Sequence, residues 1–146
     1  MQLVPVEREG TVGNAAEDQS GSVAAVLEQT AALYLRRGFE PPWICYLAQE
    51  QGAWVGTCGF AGPPCGGEVE IAYFTFPGHE GGGVATRMAT ALLALAGPTA
   101  ARLGLRFVAH TLPQEGASTS ILRRLGFSLL GPMVHPEDGT VWKWRV

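Results

Sequence analysis

Three consecutive glycines, Gly81-Gly82-Gly83, separate a β-prone run from a helical run in the stretch FPGHEGGGVATRM (76–88). A helix N-terminus leaves about four backbone N–H groups unpaired and carries roughly half a positive charge, so it attracts anions. Glycines let an anion such as phosphate approach the backbone closely. No Lys-Ser/Thr pair follows them and their spacing is not GxGxxG, which excludes a P-loop and a dinucleotide fingerprint. On this stretch alone, a phosphate site and a purely structural turn both stay open.

The composition excludes several classes of protein. The chain has 146 residues, of which 47% are hydrophobic and 16% charged, so we predict a single domain over 1–146 with a core of its own. A net charge of −3 without a Lys/Arg block argues against nucleic-acid binding. The N-terminus lacks the layout of a signal peptide, and the longest apolar stretch (88–101) is too short to span a membrane. Cys45, Cys58 and Cys65 show no metal-binding spacing, so we expect a cytoplasmic protein without a metal.

Hydrophobic patterns predict the elements around the glycines. Runs rich in β-branched and aromatic residues alternate with segments of helical periodicity. In chain order we predict a short edge strand at MQLVPV, a helix from about Ser22 to Arg37, strands WICYLAQE, AWVGTCGF and EVEIAYFTF, a helix from Val84 to Ala96, strand LRFVAHT, a short helix SILRRLG, and strands SLLGPMV and TVWKWRV. Hairpins mixed with crossover helices indicate an α/β fold of mixed α+β type. The lack of charge after Arg87 predicts that the second helix is buried on most sides.

Two segments resemble, in the right order, the GNAT superfamily of N-acetyltransferases. VEIAYFTFPGHEGGGVATRMA resembles its coenzyme-A-binding segment, with the pattern Q/R-x-x-G-x-G/A falling on 80–85 and Glu80 replacing the first Gln or Arg. TLPQEGASTSILRRLGF (111–127) is similar to T-x-x-x-N-x-x-S-x-x-x-L-x-x-x-G-F, with Glu115 replacing Asn. The resemblance covers about 22–146 and is closest to the branch of ribosomal-protein N-terminal acetyltransferases. It implies one GNAT-like domain with a mixed, mostly antiparallel sheet of six to seven strands flanked by helices.

This resemblance implies acetyl-CoA as the co-substrate. Backbone N–H groups would hold its diphosphate, with the Thr86 hydroxyl adding a contact; the residues are Glu80, Gly81, Gly82, Gly83, Val84 and Ala85. The end of the preceding strand, Phe74, Thr75 and Phe76, would pair through free backbone groups with the pantetheine arm and polarise the thioester. The alternatives are a plain turn and ordinary core aromatics. Glu80 would weaken affinity for the coenzyme unless its carboxylate points away.

The implied reaction transfers the acetyl group directly to a primary amine and needs a base. Glu70 in the central strand is the candidate, acting through water. Tyr73 and His110 are the alternatives, against an exposed strand-edge glutamate and a structural histidine as the non-catalytic interpretations. His79 and His135 are predicted to lie in loops.

The reaction also needs an acid for the departing thiolate. Many family members use a Tyr four residues before the Gly of the Gly-Phe pair, and that position is Leu122 here. Ser118 remains, either donating to the thiolate or holding a water, with helix N-capping as its structural alternative. Cys58 and Cys65 lack a His/Asp partner pattern for a covalent acetyl-cysteine.

The acceptor pocket in this family lies between the first helix and the last hairpin, here around 30–43 and 128–140. Few acids occur there, which favours a peptide N-terminus or a small amine over a polycationic aminoglycoside. The strand with Trp142 and Trp144 is a candidate sheet edge for a homodimer. Two competing hypotheses are a coenzyme-A-binding sensor of the same fold without turnover, and a non-enzymatic interaction module whose glycines are structural.

Overall fold

The computed structural model describes residues 1–13 and 16–146. The predicted order of elements is confirmed there, with small changes of boundary. The strands are β1 (Gln2–Pro5), β2 (Cys45–Glu50), β3 (Ala53–Phe60), β4 (Glu68–Thr75), β5 (Arg106–Thr111), β6 (Ser128–His135) and β7 (Gly139–Arg145), and the helices are α1 (Val23–Arg37), α2 (Val84–Leu103) and α3 (Ala117–Arg124).

One sheet contains all seven of these strands in the order β1-β2-β3-β4-β5-β7-β6. Neighbouring strands are antiparallel, apart from the central pair β4–β5, which is parallel. That parallel pair ends early, with Glu70 opposite Val108. Beyond this level β4 continues alongside β3 to Thr75, and β5 continues alongside β7 to Thr111. The two halves of the sheet therefore separate in the middle and leave a wedge-shaped gap.

Helix α2 runs seven residues further than the sequence predicts, through Gly97-Pro98 to Leu103. Its buried positions Met88, Leu92, Ala96 and Ala100 recur every four residues across the Gly-Pro pair, so burial of this stripe holds the helix together. Pro98 lies on the exposed side, where water can satisfy the carbonyl that lacks its N–H partner.

Only one face of α2 is buried, so the prediction of burial on most sides is wrong. Leu95 is 40% exposed, and most of the outward face consists of small or apolar residues. A helix with few charged residues is therefore not necessarily buried on most sides, because its exposed face can consist of small or apolar residues.

The edges of the sheet are β1 and β6, and the prediction of an edge at Trp142 and Trp144 is wrong. The hairpin at Asp138-Gly139 directs β7 inward against β5, and Trp144 is completely buried. The edge strand predicted at MQLVPV is confirmed as β1. No helix in the described ranges has the length and apolar character needed to cross a lipid bilayer.

Candidate active site

The gap between β4 and β5 beyond Glu70, here called the cleft, encloses about 450 Å³. Backbone direction alternates along β4: the Glu70 carbonyl accepts from the Ala61 N–H at 3.0 Å, and the Phe76 N–H donates to the Val55 carbonyl at 2.9 Å. The backbone groups of β4 therefore point towards β3 at residues 70, 72, 74 and 76, and away from β3 at Ile71, Tyr73 and Thr75. Of these three, Tyr73 and Thr75 lie beyond the last β4–β5 pair and face the cleft.

Of the three strand-end residues predicted to offer free backbone groups, this alternation gives only Thr75 that orientation. The prediction is wrong for the Phe76 amide, which is bonded to Val55, and the Phe76 side chain is fully buried. The Phe74 side chain is 56% exposed, but its amide has the same direction as that of Phe76. Tyr73 was predicted only as an alternative base, and the direction of its backbone was not predicted, because hydrogen-bond alternation depends on pairing with β3, which no local pattern reveals.

The glycine turn (Gly81-Gly82-Gly83) opens α2 with its amides available. Gly83 is the N-cap residue with a left-handed φ of 78°, and the first intrahelical bond runs from the Arg87 N–H to the Gly83 carbonyl at 3.0 Å. The amides of Val84, Ala85 and Thr86 precede that bond and have no acceptor inside the helix. The first turn contains no acidic residue. An anion can therefore approach this end of α2 without meeting a carboxylate from the helix.

A recess of about 510 Å³ lies between the glycine turn and α3, here called the turn recess. Glu80 and Arg124 contribute to its wall with opposite charges, and both are exposed. Arg124 forms no ion pair within 1–13 and 16–146, so its guanidinium is available to a ligand. Sequence reasoning missed Arg124, because only the packing of α3 beside the turn brings it there. The other lining residues are Thr75, His79, Gly81, Gly83, Val84, Ala85, Thr86, Ala117, Ser120 and Ile121.

Arg87 fixes the glycine turn from the side away from the recess. Its Nη1 donates to the Gly82 carbonyl at 2.7 Å, while Nε and Nη2 donate to the two carboxylate oxygens of Glu50 at 2.7 and 2.8 Å. The hydrogen bonds from Arg87 lower the pKa of Glu50. The turn is therefore tied to β2 by a bidentate charge-assisted contact. No motif predicts this contact.

Glu70 lies at the point where β4 and β5 separate, and two histidines surround it. His110 Nδ1 is 3.0 Å from Glu70 Oε2, and His135 Nε2 is 3.6 Å from Glu70 Oε1. The two rings meet edge to face at 4.9 Å. The Glu70 side chain is 26% exposed, which excludes the exposed strand-edge glutamate considered as its alternative. These donor atoms could hold a metal ion, although the cysteine spacing predicted none.

The loop prediction for His135 is wrong and the one for His79 is confirmed. Strand β6 extends to His135, and the side chain is only 12% exposed because the hairpin folds over the cleft. His79 lies in the segment between β4 and α2, at the turn recess.

Helix α3 presents Ser118 to the cleft. The helix begins at Ala117 with Gly116 as N-cap, and the Gly116 N–H donates to Thr119 Oγ1 at 2.9 Å. The capping interpretation of Ser118 is therefore wrong. The Tyr73 hydroxyl lies 3.5 Å from the Ser118 carbonyl, and burial raises its pKa, which keeps it protonated. Leu122, at the position of the family's Tyr, is fully buried.

Glu115, the other departure from the motif, has a structural partner. Arg123 donates to its two carboxylate oxygens at 2.6 and 2.8 Å. These bonds lower the pKa of Glu115 to about 2. The carboxylate thus secures the start of α3 beside the cleft.

Residues 11–128 match the family model described as an acetyltransferase (GNAT) domain. The chain belongs to the GNAT acetyltransferase family. Among solved structures, an acetyltransferase from Agrobacterium tumefaciens is 25% identical with a TM-score of 0.60, and the match covers 86% of this chain and 70% of that one. The predicted fold is therefore confirmed.

Two further solved structures carry the same fold with coenzyme bound. RimL, a ribosomal-protein α-N-acetyltransferase in complex with coenzyme A, is 21% identical with a TM-score of 0.64, covering 86% of this chain and 71% of that one. The microcin self-immunity acetyltransferase MccE, in complex with acetyl-CoA and AMP, is 17% identical with a TM-score of 0.64, covering 86% and 69%. No curated protein sequence matches the chain significantly.

An ion pair joins the two segments of this GNAT domain that are predicted to form the acceptor pocket. Arg37 at the end of α1 donates to Glu137 in the β6–β7 turn at 2.8 Å, and this contact lowers the pKa of Glu137. A smaller, mostly apolar cavity of about 250 Å³ lies between α1 and strands β3 and β4. It shares Ala72 and Tyr73 with the cleft, so the two cavities are adjacent.

The cysteines of the domain take no part in the cleft. Burial raises the pKa of Cys58 to about 12, so this thiol is not a nucleophile at neutral pH. Cys65 is exposed in the loop between β3 and β4.

Proposed function

We propose that this GNAT domain transfers an acetyl group from acetyl-CoA directly to a primary amine. The observation that carries the proposal is the early end of the β4–β5 pairing next to an open helix N-terminus. An extended chain with a diphosphate at one end fits this arrangement, because the cleft offers strand backbone and the turn offers unpaired amides.

The diphosphate is placed at the turn recess in this proposal. Amides of the α2 N-terminus and the glycine turn would bind it, with the Thr86 hydroxyl beside them and Arg124 supplying a positive charge from α3. Glu80 opposes this binding unless its exposed side chain rotates towards water. The pantetheine arm would then follow Thr75 and Tyr73 into the cleft, where it takes the place of a missing strand neighbour.

The chemistry needs a proton acceptor near the amine and a proton donor near the sulfur. Glu70, at the closed end of the cleft, would take a proton from the ammonium through water, and the neutral nitrogen would attack the thioester carbonyl. The carbon–sulfur bond then breaks, and the proton that the nitrogen loses as the amide forms would pass through the Ser118 hydroxyl to the thiolate. Tyr73, 3.5 Å from the Ser118 carbonyl, is the alternative donor. A backbone N–H facing the cleft would polarise the carbonyl oxygen.

For the acceptor we propose a peptide N-terminus or a small amine. The two predicted pocket segments contain few carboxylates, and one of them, Glu137, is neutralised by Arg37. The adjacent apolar cavity suits an uncharged group next to the amine better than a polycation. The solved structure of RimL is of a ribosomal-protein α-N-acetyltransferase, which agrees with this class of acceptor.

Two measurements test this function. Calorimetric titration with acetyl-CoA, with dephospho-CoA and pantetheine as matched ligands, should give micromolar binding that falls when the diphosphate is absent. Release of coenzyme A should then be followed with a thiol reagent against peptides and small amines. The Cys65→Ser variant is used for this assay because the exposed thiol would react with the reagent. No binding at millimolar acetyl-CoA would refute the proposal in favour of an interaction module.

A coenzyme-A-binding sensor without turnover is the second candidate. Glu80 at the turn recess and a buried Leu122 in place of the family's Tyr favour it. It predicts tight acetyl-CoA binding with no thiol release above the rate without acceptor. Turnover with any amine would exclude it.

A further inference from the structure

The strongest unexplained feature of the cleft is the imidazole of His110. Its side chain is only 10% exposed, and both ring nitrogens are buried without a hydrogen-bond partner among the described residues. Nδ1 lies 3.0 Å from Glu70 Oε2, but the alignment is not that of a hydrogen bond. Buried polar atoms are nearly always satisfied, so this ring indicates a ligand.

The atoms around His110 are arranged as a metal ligand set. One donor atom from each of Glu70, His110 and His135 lies within 4.8 Å of the other two. Zinc–ligand bonds of about 2.0–2.2 Å at tetrahedral angles require neighbouring donors to be roughly 3.3 Å apart. Each imidazole lies close to this spacing from one of the two Glu70 carboxylate oxygens, with His110 Nδ1 3.0 Å from Oε2 and His135 Nε2 3.6 Å from Oε1.

The Asp138 carboxylate lies beside His135 on the side away from Glu70, where metal-binding histidines usually have a hydrogen-bond acceptor. Asp138 Oδ2 is 3.4 Å from His135 Nδ1, the nitrogen that faces away from Glu70. His135 Nδ1 accepts the Glu137 N–H at 3.2 Å, an arrangement in which the imidazole proton is on Nε2. With Nε2 on a metal, the proton would move to Nδ1 and be donated to Asp138.

We propose that Glu70, His110 and His135 bind one divalent transition-metal ion of the zinc class. Two imidazoles and one carboxylate leave the fourth position to water or a ligand from the cleft. This donor set disfavours Mg²⁺ and Ca²⁺, which prefer oxygen ligands. A further consequence, which rests on the proposed function, is that the metal would reversibly inhibit acetyl transfer, because a metal-bound Glu70 cannot accept the proton of the amine.

The test is direct metal binding to the full chain, without coenzyme or acceptor, so its outcome does not depend on transferase activity. Metal-stripped Cys65→Ser protein is titrated with Zn²⁺ by calorimetry and with Co²⁺ by visible absorption, and Mg²⁺ serves as the control ion. We expect one Zn²⁺ per chain with micromolar or tighter affinity, and the absorption bands of low-coordinate Co²⁺.

The three histidines of the chain supply a matched set of variants. His135→Gln and His110→Gln should weaken Zn²⁺ binding by about 100-fold or more, and Asp138→Asn by about 10-fold to 100-fold. His79→Gln, outside the cluster, should bind as the parent does. Thermal unfolding of each variant without metal verifies that it is folded. Absence of stoichiometric Zn²⁺ binding, or a folded His135→Gln variant that binds as tightly as His79→Gln, would overturn the proposal.

Discussion

Replacing Gly81 by alanine tests whether the glycine turn receives an anion or merely reverses the chain. Gly81 lines the turn recess, has a φ of 79°, and a Cβ built on it would meet no atom within 4 Å. A methyl group there would therefore strain the backbone and occupy recess space without touching the protein.

The two effects have separable magnitudes. A left-handed backbone costs an alanine about 1–2 kcal/mol. Since about 1 kcal/mol shifts the melting temperature of a domain of this size by roughly 2–4 °C, we expect Gly81→Ala to melt roughly 2–8 °C lower. Loss of one hydrogen bond to a charged phosphate costs about 1.5–3 kcal/mol, which corresponds to a Kd for acetyl-CoA roughly 10-fold to 150-fold higher.

Two neighbouring glycines are the controls. Gly78 has a φ of 90° and open space around its built Cβ but does not line the recess, so Gly78→Ala should lose similar stability and keep its affinity. Gly82 has no left-handed φ and a Cβ there would meet no atom within 4 Å, so Gly82→Ala should stay within about 0.5 kcal/mol of the parent. Calorimetry and thermal unfolding provide both numbers. Equal weakening of binding in Gly78→Ala and Gly81→Ala, or parental affinity in Gly81→Ala, would refute the phosphate cradle.

Three further predictions concern charged side chains. Glu70→Gln should lower kcat by about 100-fold to 10,000-fold with the Kd for acetyl-CoA unchanged, in steady-state and calorimetric measurements; parental kcat would contradict its role as base. Arg87→Met should raise the Kd for acetyl-CoA because the Gly82 carbonyl and Glu50 lose their donor, and Glu50→Gln should raise it less; equal affinities in calorimetry would contradict this. Arg123 lowers the pKa of Glu115 from 4.5 to about 2, so this ion pair stabilises the fold above pH 4.5 and is lost as pH falls towards 2. Urea unfolding of parent and Glu115→Gln should therefore differ near neutrality and converge near pH 2, and a constant difference would argue against the pair.

Local signals were sufficient for the elements of the fold. Gln51 and Gly52 both have positive φ, as a two-residue hairpin turn between β2 and β3 needs. The local sequence alone was therefore sufficient to predict this hairpin. The end of α2 was misjudged because Gly97-Pro98 is a local stop signal that tertiary burial of Ala96 and Ala100 overrides.

The candidate site was only partly predictable, because its geometry depends on long-range pairing. The glycine turn and Ser118 belong to sequence motifs, and the structure places them at the turn recess and at the cleft. The direction of the Phe76 amide depends on its hydrogen bond to Val55, and the approach of His135 to Glu70 depends on the path of the β6–β7 hairpin. No local sequence pattern predicts either contact. The Phe76 amide was therefore wrongly predicted to be free, and His135 was predicted to lie in a loop.

The short β4–β5 junction has a consequence for the lifetime of the protein. Three residue pairs join the two half-sheets through backbone, and beyond them the backbone groups of Tyr73 and Thr75 face the cleft. A coenzyme that fills this place acts as a removable strand, and a ligand at about 100 times its Kd adds about 2.7 kcal/mol to the free energy of unfolding. Proteolysis of the opened chain would then slow whenever acetyl-CoA is plentiful. The abundance of this protein would thereby follow the supply of the proposed co-substrate.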